Sequence, residues 1–262
     1  TFNSVRFFVG FLAIVPLALM FEAKKLKKEF RFDTKTFVIL SFLIGLSLFL
    51  GSALQQVALL YTDVANAAFF TIFYVPMVPI IIFIFKKDFL HWSVWPSVIL
   101  CLIGGYLLTN FQDATVRLGD TLVVLGALFW STHIIFTGMI VKKYNLPLTI
   151  GAIQTLLVAL FSFIIGLFSE EFVIANILNE IDSILYAGIL SGGFAFVLQI
   201  YAQRNITPAP AAIIFSLEGV FATIAAWFLL NQILGINNLL GCFFILSGVL
   251  LSQLVPLIRK AS

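Results

Sequence analysis

The chain has 262 residues, of which 61% are hydrophobic and 10% charged, whereas a soluble domain carries about a quarter charged residues. Surface-to-volume scaling limits how much apolar surface one core can hide, so a water-soluble fold is excluded and lipid must be the solvent. A net charge of +3, with no arginine-rich patch interleaved with aromatics, argues against a nucleic-acid partner.

A spanning helix needs about 20 mostly apolar residues, and nine stretches qualify. The first, 3–21, leads into a basic loop at 22–35. The second, 36–59, carries Gln55 near its end. The third, 63–85, has Asp63 at the capping position and contains Asn66, Thr71, Tyr74, Pro76 and Pro79. The prolines are expected to interrupt it. In the fourth, 93–110, Ser97, Cys101 and Gly105 form a small-residue ladder suited to close helix packing. The fifth, 119–141, places Gly126, Trp130, His133 and Thr137 on one face. The sixth, 147–168, is followed by an acidic loop at 169–182.

The seventh stretch, 183–203, carries Gln199 and Gln203 one turn apart. The eighth, 208–230, starts with Thr207 as cap and Pro208 at the first helical position, and holds Ser216, Glu218 and Gly219. The ninth, 238–258, repeats the small-residue seam with Gly241, Gly248 and Ser252. The runs are continuous rather than alternating, which excludes a barrel. Cys101 and Cys242 have no C-x-x-C partner or adjacent histidine, so neither a metal site nor a cofactor is expected. No separate signal peptide is visible, and the spans themselves are expected to target the chain to the membrane.

Chain ends and loops then alternate sides. One side collects Lys24, Lys25, Lys27, Lys28, Arg31, Lys35, Lys86, Lys87, Lys142, Lys143, Arg204, Arg259 and Lys260, leaving only Arg6 and Arg117 elsewhere. The other side holds Asp63, Asp113, Asp120, Glu170, Glu171, Glu180 and Asp182. The positive-inside rule makes the basic side, and the C-terminus, cytoplasmic.

A gap-free shift of 144 residues brings Gln55 onto Gln199, Gly104 onto Gly248 and Ala65, Ala67 and Ala68 onto Ala209, Ala211 and Ala212. The caps Asp63 and Thr207 also coincide. This register pairs the second to fourth spans with the seventh to ninth, and the first with the sixth. The fifth span has no partner, so a first helix is expected to be missing from an architecture of five plus five. An odd number of spans per repeat inverts the second half relative to the first, the arrangement secondary transporters use for alternating access. The repeats are expected at 1–111 and 119–258, within one membrane domain.

Several segments resemble the bacterial EamA-type family of the drug/metabolite transporter superfamily. They are Gly119 through Trp130, Leu198-Gln199 through Val220, Gly241 through Val249, Tyr61 through Phe69, and Tyr74 through Pro79. The resemblance spans essentially the whole chain. It implies a ten-helix export or exchange protein with a central cavity, here without its first helix. The chain departs from the family pattern at Gly219, where a proline is common, and at Asn231-Gln232, where Gly-Glu is common.

Glu218 stands midway along an apolar span, where a charge costs a few kcal/mol on insertion scales, so function is the default reading. It shares a stripe with Ala211, Ala222 and Ala225, a face suited to helix packing. His133 titrates near neutral pH, and Trp130 can stack on a planar or cationic group; packing between helices explains both equally well. Gln55, Gln199 and Gln203 are amides that can line a cavity or join helices. Asn66, Thr71, Tyr74 and Ser216 are weaker candidates of the same kind. Pro76, Pro79 and Gly219 are candidate gating kinks.

The expected function is a secondary transporter of the inner (plasma) membrane, exporting or exchanging small polar organic metabolites such as amino acids. Its partners are a small-molecule substrate and the bilayer, with Glu218 and His133 as candidate groups for proton coupling. No phosphate-binding glycine pattern points to ATP. An intramembrane enzyme would need a nucleophile–base pair or a carboxylate dyad, and none stands out, so no catalytic residues are expected. A channel or scaffold would not need the repeat.

Overall fold

A computed structural model of the chain describes residues 1–30, 33–86, 90–109, 117–170, 173–231 and 233–261. Those residues form helices α1 (Phe2–Phe30), α2 (Thr34–Ala58), α3 (Val64–Thr71), α4 (Tyr74–Lys86), α5 (Val94–Thr109), α6 (Leu118–Tyr144) and α7 (Pro147–Ser169). They continue with α8 (Ile174–Asn179), α9 (Ile181–Tyr186), a π-helical segment (Ala187–Ala195), α10 (Phe196–Ala202), α11 (Pro208–Phe215), α12 (Leu217–Leu230) and α13 (Ile236–Ala261). Among the described residues, eight helical runs are long and apolar enough to cross a membrane. The fourth expected span is the exception: α5 has 16 residues, about 24 Å at 1.5 Å per residue, short of a ~30 Å hydrocarbon core.

Two expected loops are largely helical. The basic segment after residue 21 continues α1, because Ala, Leu, Lys and Glu propagate a helix well once it has nucleated. The acidic segment after residue 169 contains α8 and leads directly into α9.

The chain divides into two compact units, one of residues 1–53 and 136–206, the other of 54–135 and 207–262. This division differs from the sequence repeats, since each unit takes helices from both halves. In the first unit α1 packs along α7 and against the π segment. Backbones touch there: a Cβ on Gly188 would lie 2.6 Å from the Arg6 carbonyl, and one on Gly10 2.8 Å from the Gly188 carbonyl. Below that crossing, Phe37, Leu40 and Ile44 of α2 form a buried cluster with Ile140, Val141, Tyr144, Ile150 and Ile200. Arg6, one of the two basic residues off the main basic side, sets its guanidinium over the rings of Phe2 and Phe7, 5.5 and 5.0 Å from their centroids. The attraction of a cation to an aromatic face helps hold it there.

Polar ties close one end of this unit. The Glu22 carboxylate accepts from the backbone N–H groups of Leu148 (3.1 Å) and Thr149 (2.8 Å) at the start of α7. A carboxylate there satisfies orphan donors and meets the positive end of the helix dipole. Nearby, Lys143 pairs with Asp33, Tyr144 donates to the Asp33 carbonyl (3.3 Å), and Lys25 donates to the Asn145 carbonyl (2.9 Å). Asn145 adopts φ 52°, a left-handed turn residue that asparagine tolerates.

In the second unit α5 packs along α13. A Cβ on Gly104 would meet the Gly241 carbonyl at 2.7 Å, one on Gly241 would meet the Gly104 carbonyl at 2.8 Å, and one on Gly248 would meet the Ser97 carbonyl at 2.8 Å. In the 144-residue register Ser97 corresponds to Gly241 and Gly104 to Gly248. The contacts are therefore reciprocal: 97 meets 248, and 104 meets 241. Moving up one helix means moving down the other, so the two equivalent helices run antiparallel. That is the geometry an inverted duplication requires.

Candidate functional site

The third and eighth spans both break, at the same place in the repeat. α3 and α11 have 8 residues each. Their N-terminal flanking residues match: Asp63 at φ −74°, ψ 150° and Thr207 at φ −75°, ψ 153°. So do their C-terminal ones, Ile72 at −58°, −16° and Ser216 at −61°, −15°. After each break a tight bond skips one residue fewer than in an α-helix, Val75 N–H to the Ile72 carbonyl (2.9 Å) and Gly219 N–H to the Ser216 carbonyl (3.2 Å).

The caps are placed as the sequence suggests, but neither side chain makes a capping bond. Asp63 instead accepts from Arg117 at 2.6 Å, which accounts for the second basic residue off the main basic side. Beside it the Thr62 hydroxyl donates to Asp120, which also accepts from the Arg117 N–H at 2.8 Å. Proline acts before its own position. Pro76 has no N–H to offer the Ile72 carbonyl, and the break falls there, four residues earlier. Pro79 does not interrupt the span; it sits inside α4.

The breaks bring functional groups together. Tyr74 opens α4 and Glu218 lies in the first turn of α12, and the two are equivalents in the repeat. Tyr74 is buried and shares one packed cluster with Cys101. Ser216, at the break itself, is buried with its Oγ 3.4 Å from Cys101 Sγ. Glu218 is exposed. The stripe expected to pack with it does not: Ala222 and Ala225 are exposed while Ala211 is buried.

The α6 candidates join the same unit. Trp130 packs against the buried cluster of Tyr74, Val75, Val78, Cys101, Ala209 and Ile213. His133 is fully buried, its ring edge-on to Trp130 at 6.2 Å between centroids. Ser131, unremarked in the sequence, donates to the Ala127 carbonyl at 2.7 Å with the Tyr74 carbonyl 3.4 Å away. The Gln55 amide donates to the Thr71 hydroxyl (3.2 Å), which in turn donates to the Ala67 carbonyl (2.7 Å). Asn66 is buried on α3.

All the predicted pathway residues except Gln199 and Gln203 thus belong to the second unit. Those two amides lie on and just after α10 in the first unit, Gln199 half-buried and Gln203 fully buried with no hydrogen bond from its side chain among the described residues. A cavity of about 460 Å³ lies between α1 and α7, lined by residues such as Val5, Phe8, Leu160 and Phe163. It includes none of the predicted residues.

The EamA-like transporter family matches residues 117–254. The chain belongs to that family. Among relatives, an uncharacterized transporter from Archaeoglobus fulgidus is 30% identical over 259 residues, covering 97% of this chain and 76% of that one. The uncharacterized transporter YoaV of Bacillus subtilis is 24% identical over 274 residues, 99% of this chain and 88% of that one. A solved crystal structure superposes on 100% of this chain and 88% of its own with a TM-score of 0.80 at 15% identity, which shows a shared fold. The EamA chain is thus a multi-pass membrane transporter.

Sequence reasoning passed over Cys101 as packing and did not single out Glu22, Thr62 or Ser131. Only the repeat register, applied to position 74, would have flagged the Tyr74–Glu218 pairing.

Proposed function

We propose that this EamA protein is a secondary transporter that exports or exchanges small polar organic metabolites, amino acids or related compounds, by alternating access. It would sit in the plasma membrane with its C-terminus in the cytoplasm. The observation that carries the reading is the matching pair of helix breaks, which set the repeat-equivalent residues Tyr74 and Glu218 in the first turn after each break.

The chemistry suits a zwitterion. Half-helix N-termini inside a membrane attract an anionic group such as a carboxylate, while Glu218 offers a counter-charge to an ammonium. Trp130 and Tyr74 supply flat apolar surface for a side chain. Gln199 and Gln203 are proposed as amides lining the path, and His133 as a second group for proton coupling.

Thermal unfolding of the purified protein in detergent, against a panel of amino acids and related amines, tests this. A ligand that binds only the native state raises the melting temperature by mass action. At least one panel member should do so in wild type, and Glu218→Gln should lose most of the shift. A panel without effect, or shifts untouched by Glu218→Gln, would overturn the assignment.

A further inference from the structure

The two helix breaks match in place and backbone angles but differ in what holds them. In the third span the Ile72 carbonyl faces Pro76, which has no N–H, so no rearrangement of side chains can rebuild the α-helical bond there. In the eighth span the equivalent of Pro76 is Val220, which keeps its N–H and can close the ladder onto the Ser216 carbonyl.

Side chains supply what proline does not. The Ser216 hydroxyl lies 2.6 Å from the Ile213 carbonyl and 3.4 Å from Cys101 Sγ. It has one proton to give, and the carbonyl, which can only accept, takes it. The contact with sulfur is then made by the Cys101 S–H donating to Ser216 Oγ. The result is a chain from thiol to hydroxyl to carbonyl. Its last bond takes up lone-pair capacity on Ile213 that the amide four residues on would use in an unbroken helix. All three groups are buried. In the first repeat the equivalents of Ser216 and Cys101 are Ile72 and Ile245, and the hydroxyl chain there, Gln55 to Thr71 to the Ala67 carbonyl, stands one residue before the break and ties up a carbonyl whose α-helical partner is Thr71 itself.

We infer that the break in the third span is permanent and the break in the eighth is a latch, with Cys101 and Ser216 as positioning residues that hold it bent. Releasing the thiol–hydroxyl chain frees the Ile213 carbonyl for the Leu217 N–H, and with that turn rebuilt Val220 can bond to Ser216, which straightens the span and carries Glu218 through a change of direction. The inference rests on the transporter reading only for its consequence on flux. The latch itself is a property of the fold.

Hydrogen–deuterium exchange of the full chain in lipid nanodiscs reads the latch without any substrate. Peptides covering 213–222 should exchange about five- to tenfold more slowly in Ser216→Ala or Cys101→Ala, because the released span closes backbone bonds that the bent one leaves open, a gain the size of one net hydrogen bond. Cys101→Ser and Ser216→Thr, which keep the donors, should restore the wild-type rate, and peptides covering 69–78 should not respond to any of these variants. Val220→Pro should abolish the effect of Ser216→Ala. Unchanged exchange at 213–222 in Ser216→Ala, or an equal change at 69–78, would overturn the latch. For flux, Val220→Pro should lower the transport rate while preserving ligand-induced thermal shifts. If wild type moves no ligand, the transport reading fails while the exchange result still decides the latch.

Discussion

Glu22 shows how much a single side chain can do away from the pathway. Its two oxygens serve two backbone donors of a helix 126 and 127 residues further along, an interaction that neither span prediction nor charge counting can reveal. Glu22→Ala should lower stability by about 1–2 kcal/mol, as loss of a helix N-terminal cap does, while Glu22→Gln, which can still accept one bond, should cost less. Thermal unfolding in detergent checks this, and equal melting temperatures for both variants and wild type would contradict it. Asp33 makes a pH prediction at the same end. Its hydrogen bond to Lys143, aided by Thr36, holds the carboxyl at about 2, down from 3.8. Because the folded value is depressed, the pair's contribution is fully present above the unfolded value and fades as pH falls toward about 2. The difference in melting temperature between wild type and Asp33→Asn should therefore stay constant from pH 7 to about 5. It should then shrink as the pH falls from about 4 toward 2; a difference that stays flat through that lower range would mean the carboxyl titrates normally. At this scale the sequence is least informative, because Glu22, Thr62 and Cys101 owe their roles to partners far along the chain.

At the scale of elements the sequence said much more. Hydropathy located the spans to within a few residues because lipid forces each backbone polar group to bond within its own helix. It erred where water resumes: propensity carries α1 on through Lys24, Lys25 and Lys27, and periodicity has no signal for that. The repeat register foretold that the third and eighth spans are kin but not that both break after the eighth helical residue. The crossing of α5 and α13 supplies the sharpest test at this scale. Gly104→Leu drives a side chain against the Gly241 carbonyl and Ile245, and overpacking of this kind costs about 1–3 kcal/mol or more. Gly235, whose added Cβ would meet only Asn238 at 3.5 Å, should accept alanine with little change. Similar melting temperatures for the two variants would mean that the helices do not approach as closely as described. Asn231 resolves one departure from the family pattern: it ends α12 at φ 52°, a left-handed cap that asparagine can fill in place of glycine.

For the whole molecule, the sequence revealed the duplication, its inversion and the family, whereas the assembly of the site needed three dimensions. Glu218 stood out alone because a carboxylate in an apolar span is costly. Its repeat partner Tyr74 ranked only as a weaker candidate, because a tyrosine in such a span is ordinary. The central claim is that opposed halves expose one polar pocket to each side in turn. Counterflow in proteoliposomes tests it most directly, using a panel member that raised the melting temperature. Vesicles preloaded with unlabelled compound should transiently accumulate the labelled compound above equilibrium, with saturating rates that Glu218→Gln lowers. Uptake that rises linearly with concentration and never overshoots would contradict the account.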